Sequence, residues 1–268
     1  MIAFYFSGTG NSEYIARKFS AQMDIPCHSI EENLRFHELL IRHSRIVICY
    51  PIYCSGIPRL MREFAQKYRK DFYQKQVLVF CTQMLYSGDG ARAFLDLFPE
   101  NWLILAYAEH FFMPNNICNV FPAWTFGKKV VTHEIRRANR KIEKIQQDLY
   151  AGKVRRRGCN PLSRRLGWWQ RKYFPATEEK AKDNVRIHSD CIGCGRCARN
   201  CPVQNLLWKD GHILPQGNCM FCYRCVNLCP QKAITVVYHR PVSAQYKGPV
   251  AQKERHSLGK YAPKYERK

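Results

Sequence analysis

One cysteine pattern occurs twice in this chain, and that repeat limits what the C-terminal third can fold around. Cys191, Cys194, Cys197 and Cys201 precede Pro202, and Cys219, Cys222, Cys225 and Cys229 precede Pro230, with every position displaced by the same interval. The spacing C-x2-C-x2-C-x3-C-P is an iron–sulfur ligand run. Three thiolates spaced in this way wrap one face of a cubane, and the fourth, beyond the bend, is badly placed to close on the same cube. In a duplicated unit each fourth cysteine therefore serves the other cluster. The expectation is two 4Fe–4S clusters, one on Cys191, Cys194, Cys197 and Cys229, the other on Cys219, Cys222, Cys225 and Cys201.

Two other uses of so many cysteines compete with this one. Eight of the 14 lie between Cys191 and Cys229, which would suit a disulfide scaffold in an oxidising compartment. The N-terminal stretch MIAFYFSGTGNS, however, has neither the basic region nor the cleavage site of a signal peptide. Zinc would be satisfied by two C-x2-C pairs, leaving the third and fourth cysteine of each copy and both prolines without a purpose.

The chain has 268 residues, room for one sizeable domain and a smaller one, and its 46% hydrophobic content is ordinary for a soluble globule. No apolar run approaches the ~18 residues of a membrane span. Clusters and free thiols need a reducing setting, so a cytoplasmic protein is expected. The net charge is +22 and uneven. Residues 151–190 hold 11 lysines and arginines against four acidic residues, and residues 231–268 hold nine against two. Such an excess predicts salt-sensitive attraction to an acidic partner, such as an acidic redox protein or a small electron carrier.

At the other end, the apolar run Ile2–Phe6 suits a buried parallel strand. It enters Ser7-Gly8-Thr9-Gly10-Asn11-Ser12, after which Tyr14, Ile15, Ala16 and Phe19 recur at helical spacing. Strand, small polar loop and helix make a phosphate site, because free N–H groups at the helix start face the anion and hydroxyls add donors. A Walker loop is excluded, since no lysine occurs before Lys18, and a dinucleotide fingerprint is excluded by Glu13 in place of the third glycine. Further strands are expected at Pro26–Ile30, Ile46–Tyr50, Val77–Phe80 and Leu103–Ala108, with helices near 58–70 and 90–98. That alternation predicts a doubly wound sheet whose loops 7–12, 51–58 and 82–90 share the ligand-bearing edge.

The loop SGTGNS resembles the phosphate loop of the flavodoxins. The resemblance implies FMN as cofactor, with Ser7, Thr9, Gly10, Asn11 and Ser12 holding its phosphate. It further implies that Pro51, Ile52 and Tyr53 lie along the isoalloxazine, with Thr82, Gln83, Met84, Ser87 and Gly88 on the other loop. Tyr53 is the expected stacking partner, an aromatic face against a flat ring. Residues 111–124 contain Met113-Pro114-Asn115-Asn116, which resembles a stretch found in proteins that join a flavodoxin domain to a two-cluster ferredoxin. A role covering the flavin edge is expected there, with a packing role as the alternative.

Residues 128–151 read as a closing helix with Val131, Ile135, Ile142, Ile145 and Leu149 on one stripe, ended by Gly152. A basic connector, 152–184, follows. Its Trp168-Trp169 among arginines would suit single-stranded nucleic acid or a membrane surface, but tryptophans are usually buried, so packing is the favoured reading. Val185–Ile187 answers to Ile213-Leu214 and Leu206–Trp208 to Ile234–Val236, again at the interval of the cysteine repeat, so each half is strand, cysteine loop, strand. Residues 240–268 are charged and poor in apolar residues, and disorder is expected there unless they dock. Among the other cysteines, Cys54 and Cys81 lie on or beside the proposed flavin loops, and a small-hydrophobe role is favoured over a redox one. His188 is expected to be structural.

Taken whole, the sequence resembles flavodoxin–ferredoxin fusion proteins of anaerobic microbes. The resemblance implies an α/β fold: a flavodoxin-like, doubly wound, parallel five-stranded sheet at 1–151, then a small α+β ferredoxin-like domain at 185–239. The function expected is electron transfer between two 4Fe–4S clusters and an FMN within one chain, exchanging with an external partner. A flavin-site reductase of a small substrate is the alternative. A cluster-bearing nucleic-acid binder, suggested by the charge and the paired tryptophans, is the second, and peripheral membrane contact stays open.

Overall fold

The computed structural model describes residues 1–249, which form two compact units. The first comprises Met1–Met113 with Thr132–Phe174. Its strands are β1 (Ile2–Tyr5), β2 (Cys27–Ser29), β3 (Arg45–Pro51), β4 (Gln76–Gln83) and β5 (Ile104–Phe112). They form one parallel sheet in the order β2-β1-β3-β4-β5. The apolar runs of the central strands are buried on both faces, as a parallel sheet covered by helices requires.

Register assigns the faces. Phe4, Ile48 and Val79 are aligned across the sheet, as are their neighbours Tyr5, Cys49 and Phe80 on the opposite side. On the first face Phe4 meets Phe36 of α2 (Phe36–Ile41) and Phe64 of α3 (Arg59–Lys67), with centroids 5.6 and 5.7 Å apart. The cluster continues through Phe72, Phe94 and Phe98. On the second face Phe80 packs edge-on against Phe19 of α1 (Asn11–Met23) at 4.9 Å and against Phe111 at 5.7 Å. Burying each such ring is worth about 1.5–3 kcal/mol, with about 0.5–1.5 kcal/mol more for the ring pair. The closing helix α4 (Lys128–Tyr150) ends at Gly152, whose φ of 66° is left-handed.

Residues 152–174 are more than a connector. Ala108 N–H donates to Arg155 O and Arg157 N–H to Ala108 O, so this backbone runs along the free edge of β5 and covers it. Arg157 reaches buried Glu109 at 2.9 Å and Arg155 reaches buried Asp148 at 2.5 Å. The basic run thus neutralises carboxylates that the fold buries. A helix, α5 (Pro161–Arg171), follows, with Asn160 Oδ1 accepting from Ser163 N at 2.9 Å and proline in the first turn.

The second unit comprises Pro114–Val131 and the described residues from Pro175 on. After α6 (Phe174–Asp183), strand β6 (Val185–Ile187) pairs antiparallel with β9 (Ile234–Val236). A hairpin of β7 (Leu206–Lys209) and β8 (His212–Pro215) turns at Asp210-Gly211, both at positive φ. Two short helices, α7 (Arg196–Arg199) and α8 (Arg224–Leu228), each carry the third cysteine of their copy. The tail expectation changes for residues 240–249: Val242 and Tyr246 are buried, and Gln245 donates to Val226 O and Cys229 O. The remainder of that tail lies outside the described residues.

Candidate cofactor sites

In a sheet of order 2-1-3-4-5 the reversal of strand order lies between β1 and β3, and a crevice opens beyond the carboxyl ends of those strands. Ser7 to Gly10 leave β1 at that edge. Ser7 Oγ accepts from Gly10 N at 3.0 Å, closing the loop, and Gly10 at φ 100° turns it into α1. No side chain caps the start of α1, leaving its first N–H groups suited to an anion. Thr9 and Asn11 stand half-exposed. Ser12 is fully buried and shares a 2.7 Å hydrogen bond with Thr82 Oγ1, which ties α1 to the end of β4.

The second loop leaves β3 at Pro51 and Ile52. Tyr53 and Gly56 exchange backbone hydrogen bonds of 3.1 and 2.7 Å around Cys54 and Ser55, both left-handed. Tyr53 is only 9% exposed, so it is no open surface tyrosine. The third loop begins within β4, which runs on to Gln83, farther than the sequence implies. There Ser87 donates to Gln83 Oε1, while Gln83 Nε2 is buried without a hydrogen-bond partner. Such a donor has an unmet desolvation cost of about 1–3 kcal/mol, which a ligand acceptor would satisfy. Met84 is half-exposed and Gly88 is buried. Behind the loop, burial and the charges of Arg157 and Lys141 lower His110 to about 4, and its Nε2 accepts from Ala91 N. The orphaned amide and the uncapped glycine turn fit a phosphorylated flavin.

Sequence reasoning missed α5 here. Tyr86 OH meets Ser163 Oγ at 2.6 Å, Ser55 donates to Gln170 Oε1 at 2.5 Å, and Arg171 grips Asp89 with two hydrogen bonds. Gly167 lies so close to Asp89 that no side chain fits, and Phe174 lies against Gly56. The cap Asn160-Pro161 and the lone Gly167 were the available signals. Trp168 and Trp169 correct the packing expectation: they are 65% and 55% exposed. Cys81 is buried and its thiol is pushed up by desolvation, whereas Cys54 is exposed.

In the second unit the two cysteine copies keep the same local bonds. Asn205 N–H donates to Cys201 Sγ at 3.2 Å, and at the equivalent place in the second copy Ala233 N–H donates to Cys229 Sγ at 3.3 Å. Gly193 and Gly195 are left-handed, as are their counterparts Phe221 and Tyr223. Cys191, Cys194, Cys197 and Cys229 border one cavity with Ile192, Ile213, Pro230 and Ile234. The thiol of Cys225 is raised well above its ordinary value by burial and then by the neighbouring cysteines Cys222, Cys219, Cys201 and Cys197. Among the described residues no three His, Cys, Asp or Glu side chains converge on a single-ion site. Thiols set around a cavity suit a larger cubane body, whose irons would offset the charge that apolar surroundings otherwise resist.

From Pro114 on, the Met-Pro-Asn-Asn stretch belongs to the second unit. Asn116 donates to Cys222 O at 3.5 Å and its carbonyl accepts from buried Asn227 at 2.8 Å, so the segment braces the second cysteine loop. His188 bonds Thr235 at 2.9 Å, a structural role.

Comparison with known proteins fits this division. A flavodoxin domain family matches residues 2–119, and a 4Fe–4S dicluster domain family matches residues 190–234. Among solved structures, oxidised flavodoxin 2 from Bacillus cereus is 14% identical, over 55% of this chain and 97% of that one, with a TM-score of 0.35. The Trp repressor binding protein from Bacillus subtilis is 16% identical, over 41% and 83%, with a TM-score of 0.34. An NADPH-quinone reductase from P. pentosaceus is 12% identical, over 56% and 97%, with a TM-score of 0.36. No curated protein matches the chain. No helix among the described residues is long and apolar enough to cross a membrane. The chain has the build of a flavodoxin–ferredoxin fusion, a flavodoxin domain followed by a 4Fe–4S dicluster domain, and its role is in electron transfer.

Proposed function

We propose that this chain passes electrons between two 4Fe–4S clusters and an FMN, exchanging them with an acidic external redox partner in a reducing, cytoplasmic setting. The observation that carries the reading is the duplicated cysteine loop, with Cys191, Cys194, Cys197 and Cys229 bordering one cavity. When bound, clusters supply single electrons and a flavin one or two, so the pair converts one-electron into two-electron chemistry.

The residues have separate tasks. Cys191, Cys194, Cys197 and Cys229 hold one cluster; Cys219, Cys222, Cys225 and Cys201 hold the other. The N–H groups of Asn205, Ala233 and Phe221 donate to Cys201, Cys229 and Cys219, and such bonds raise a cluster's potential by stabilising its reduced, more negative form. Ser7, Thr9, Gly10, Asn11 and Ser12 form the phosphate cradle. Pro51, Ile52, Tyr53, Thr82, Gln83, Met84, Ser87 and Gly88 line the ring, with Gln83 Nε2 as donor to it. One covalent chain keeps donor and acceptor at high effective concentration.

The test is anaerobic purification with iron, sulfide and flavin measured per chain. About eight iron, about eight sulfide and one FMN are expected. A chain that takes up flavin but no iron after reconstitution, or iron but no flavin, overturns the reading.

A further inference from the structure

The arginines and tryptophan of α5 have no part in the electron-transfer reading, yet they line an open cleft of about 430 Å³ with Asp89, Arg92 and Asp96. That volume is in the range of small-molecule sites. Pro161, Arg164, Arg165 and Trp168 follow one another at helical spacing along one side of α5, and Arg171 completes the row.

The charges in the cleft divide into two groups. Asp89 is 1% exposed and binds Arg171 through both oxygens, with Arg92 at 3.5 Å. Asp96 takes two further hydrogen bonds of 2.8 Å from Arg92. Both carboxylates are therefore engaged, and they fix two guanidiniums in the floor of the cleft. Arg164 and Arg165 are exposed and, among the described residues, pair with no carboxylate. Four guanidiniums against two carboxylates leave the cleft positive, and guanidinium forks match phosphate oxygens in geometry as well as charge. Trp168, 65% exposed on the same side, offers a flat face to a ring.

We infer that this cleft binds a free nucleotide, its phosphates on Arg164 and Arg165 and its base against Trp168. The site is separate from the phosphate cradle of residues 7–12, and the inference stands whether or not the electron-transfer reading does. Single-stranded nucleic acid carries the same phosphate and base chemistry; the volume of the cleft, in the range of small-molecule sites, favours the free ligand.

The test is isothermal titration of the full, cofactor-loaded chain with ADP, with inorganic pyrophosphate, and with a short single-stranded oligonucleotide. ADP should bind more tightly than pyrophosphate. Trp168→Ala should weaken ADP about fivefold or more while leaving pyrophosphate unchanged, in line with the worth of one base stacked on an aromatic ring. Arg164→Glu with Arg165→Glu should weaken both about tenfold or more, as loss of charge-assisted bonds implies. Arg136→Glu with Arg140→Glu on α4 makes the same change in net charge at another exposed face and should alter neither. Three results overturn the inference: equal weakening by the control pair, which would mean bulk attraction alone; unchanged ADP affinity in Trp168→Ala; or oligonucleotide binding with ADP silent.

Discussion

The proposed cross-ligation between the two cysteine copies makes a prediction about pairs of substitutions that ligation within a copy reverses. Cys201 is half-exposed and its sulfur accepts a single 3.2 Å bond from Asn205 N–H. Alanine there removes one thiolate and a hydrogen bond worth about 1 kcal/mol, a small loss beside the 5–15 kcal/mol or so that holds a typical domain. The large effect is on metal. Iron should fall from about eight to about four per chain, since one four-iron cluster loses a ligand. Adding Cys222→Ala strikes the same cluster under the proposed assignment, and iron should stay near four. Adding Cys194→Ala instead strikes the cavity shared by Cys191, Cys197 and Cys229, and iron should approach zero. Iron and acid-labile sulfide are measured after anaerobic reconstitution, with FMN content as the internal reference. If the Cys201/Cys194 pair keeps about four iron while the Cys201/Cys222 pair loses nearly all, each copy closes on its own cluster and the assignment is wrong.

Thr9→Val removes a hydroxyl from the phosphate cradle and should weaken FMN by about 1.5–3 kcal/mol, roughly 10- to 150-fold, read by flavin fluorescence quenching; undiminished affinity contradicts the loop's role. Asp89→Asn leaves Arg171 without its buried countercharge and should destabilise the first unit by about 3–5 kcal/mol in thermal unfolding, and a shift under about 1 kcal/mol counts against a tight pair. Burial, Arg157 and Lys141 hold His110 near 4 against an ordinary 6.5, so the unfolded chain binds the extra proton first. Stability from this group is intact above 6.5 and declines by about 2 kcal/mol by pH 5; His110→Asn should flatten that slope, and an unchanged slope excludes the histidine as its source. Cys194 is exposed while its counterpart Cys222 is 7% exposed, so a chelator acting on Cys201→Ala protein, which keeps only the first cluster, should strip iron faster than from Cys194→Ala protein, and equal rates refute the difference.

Much of this architecture was legible because its signals are local. Ile2–Phe6 is an unbroken apolar run beside a glycine turn, and the cysteine repeat needs only counting. Strand ends were less legible: β4 continues through Thr82 and Gln83, polar residues that a hydropathy reading assigns to a loop but that are buried by contacts from Ser12 and Ser87. The connector was misread for a related reason. Arg155 and Arg157 look solvated in one dimension, yet their partners Asp148 and Glu109 sit on a helix and a strand brought alongside only by folding. Trp168-Trp169 failed in the other direction, since burial statistics for tryptophan do not apply where a helix makes its close contact through small residues, here Ser163 and Gly167.

The duplicated cysteine loops show what sequence identity alone would not reveal about their divergence. Both copies need left-handed backbone at the positions after the first and second cysteines, where chain direction must reverse around a cluster. The first copy supplies glycine at 193 and 195, and at 193 the neighbouring Gly211 carbonyl leaves no room for a side chain. The second copy holds Phe221 at φ 41° and Tyr223 at φ 60°, strained settings of about 1–3 kcal/mol each for bulky residues. Those rings offset the strain by burial: Phe221 is 8% exposed, Tyr223 2%, and Tyr223 OH donates to Val236 O at 2.9 Å. Met220, 1% exposed, stands where the first copy has Ile192, 63% exposed. One copy thus keeps its cysteine loop open to solvent and the other walls its loop in with aromatic side chains, whose burial offsets the backbone strain of their left-handed positions.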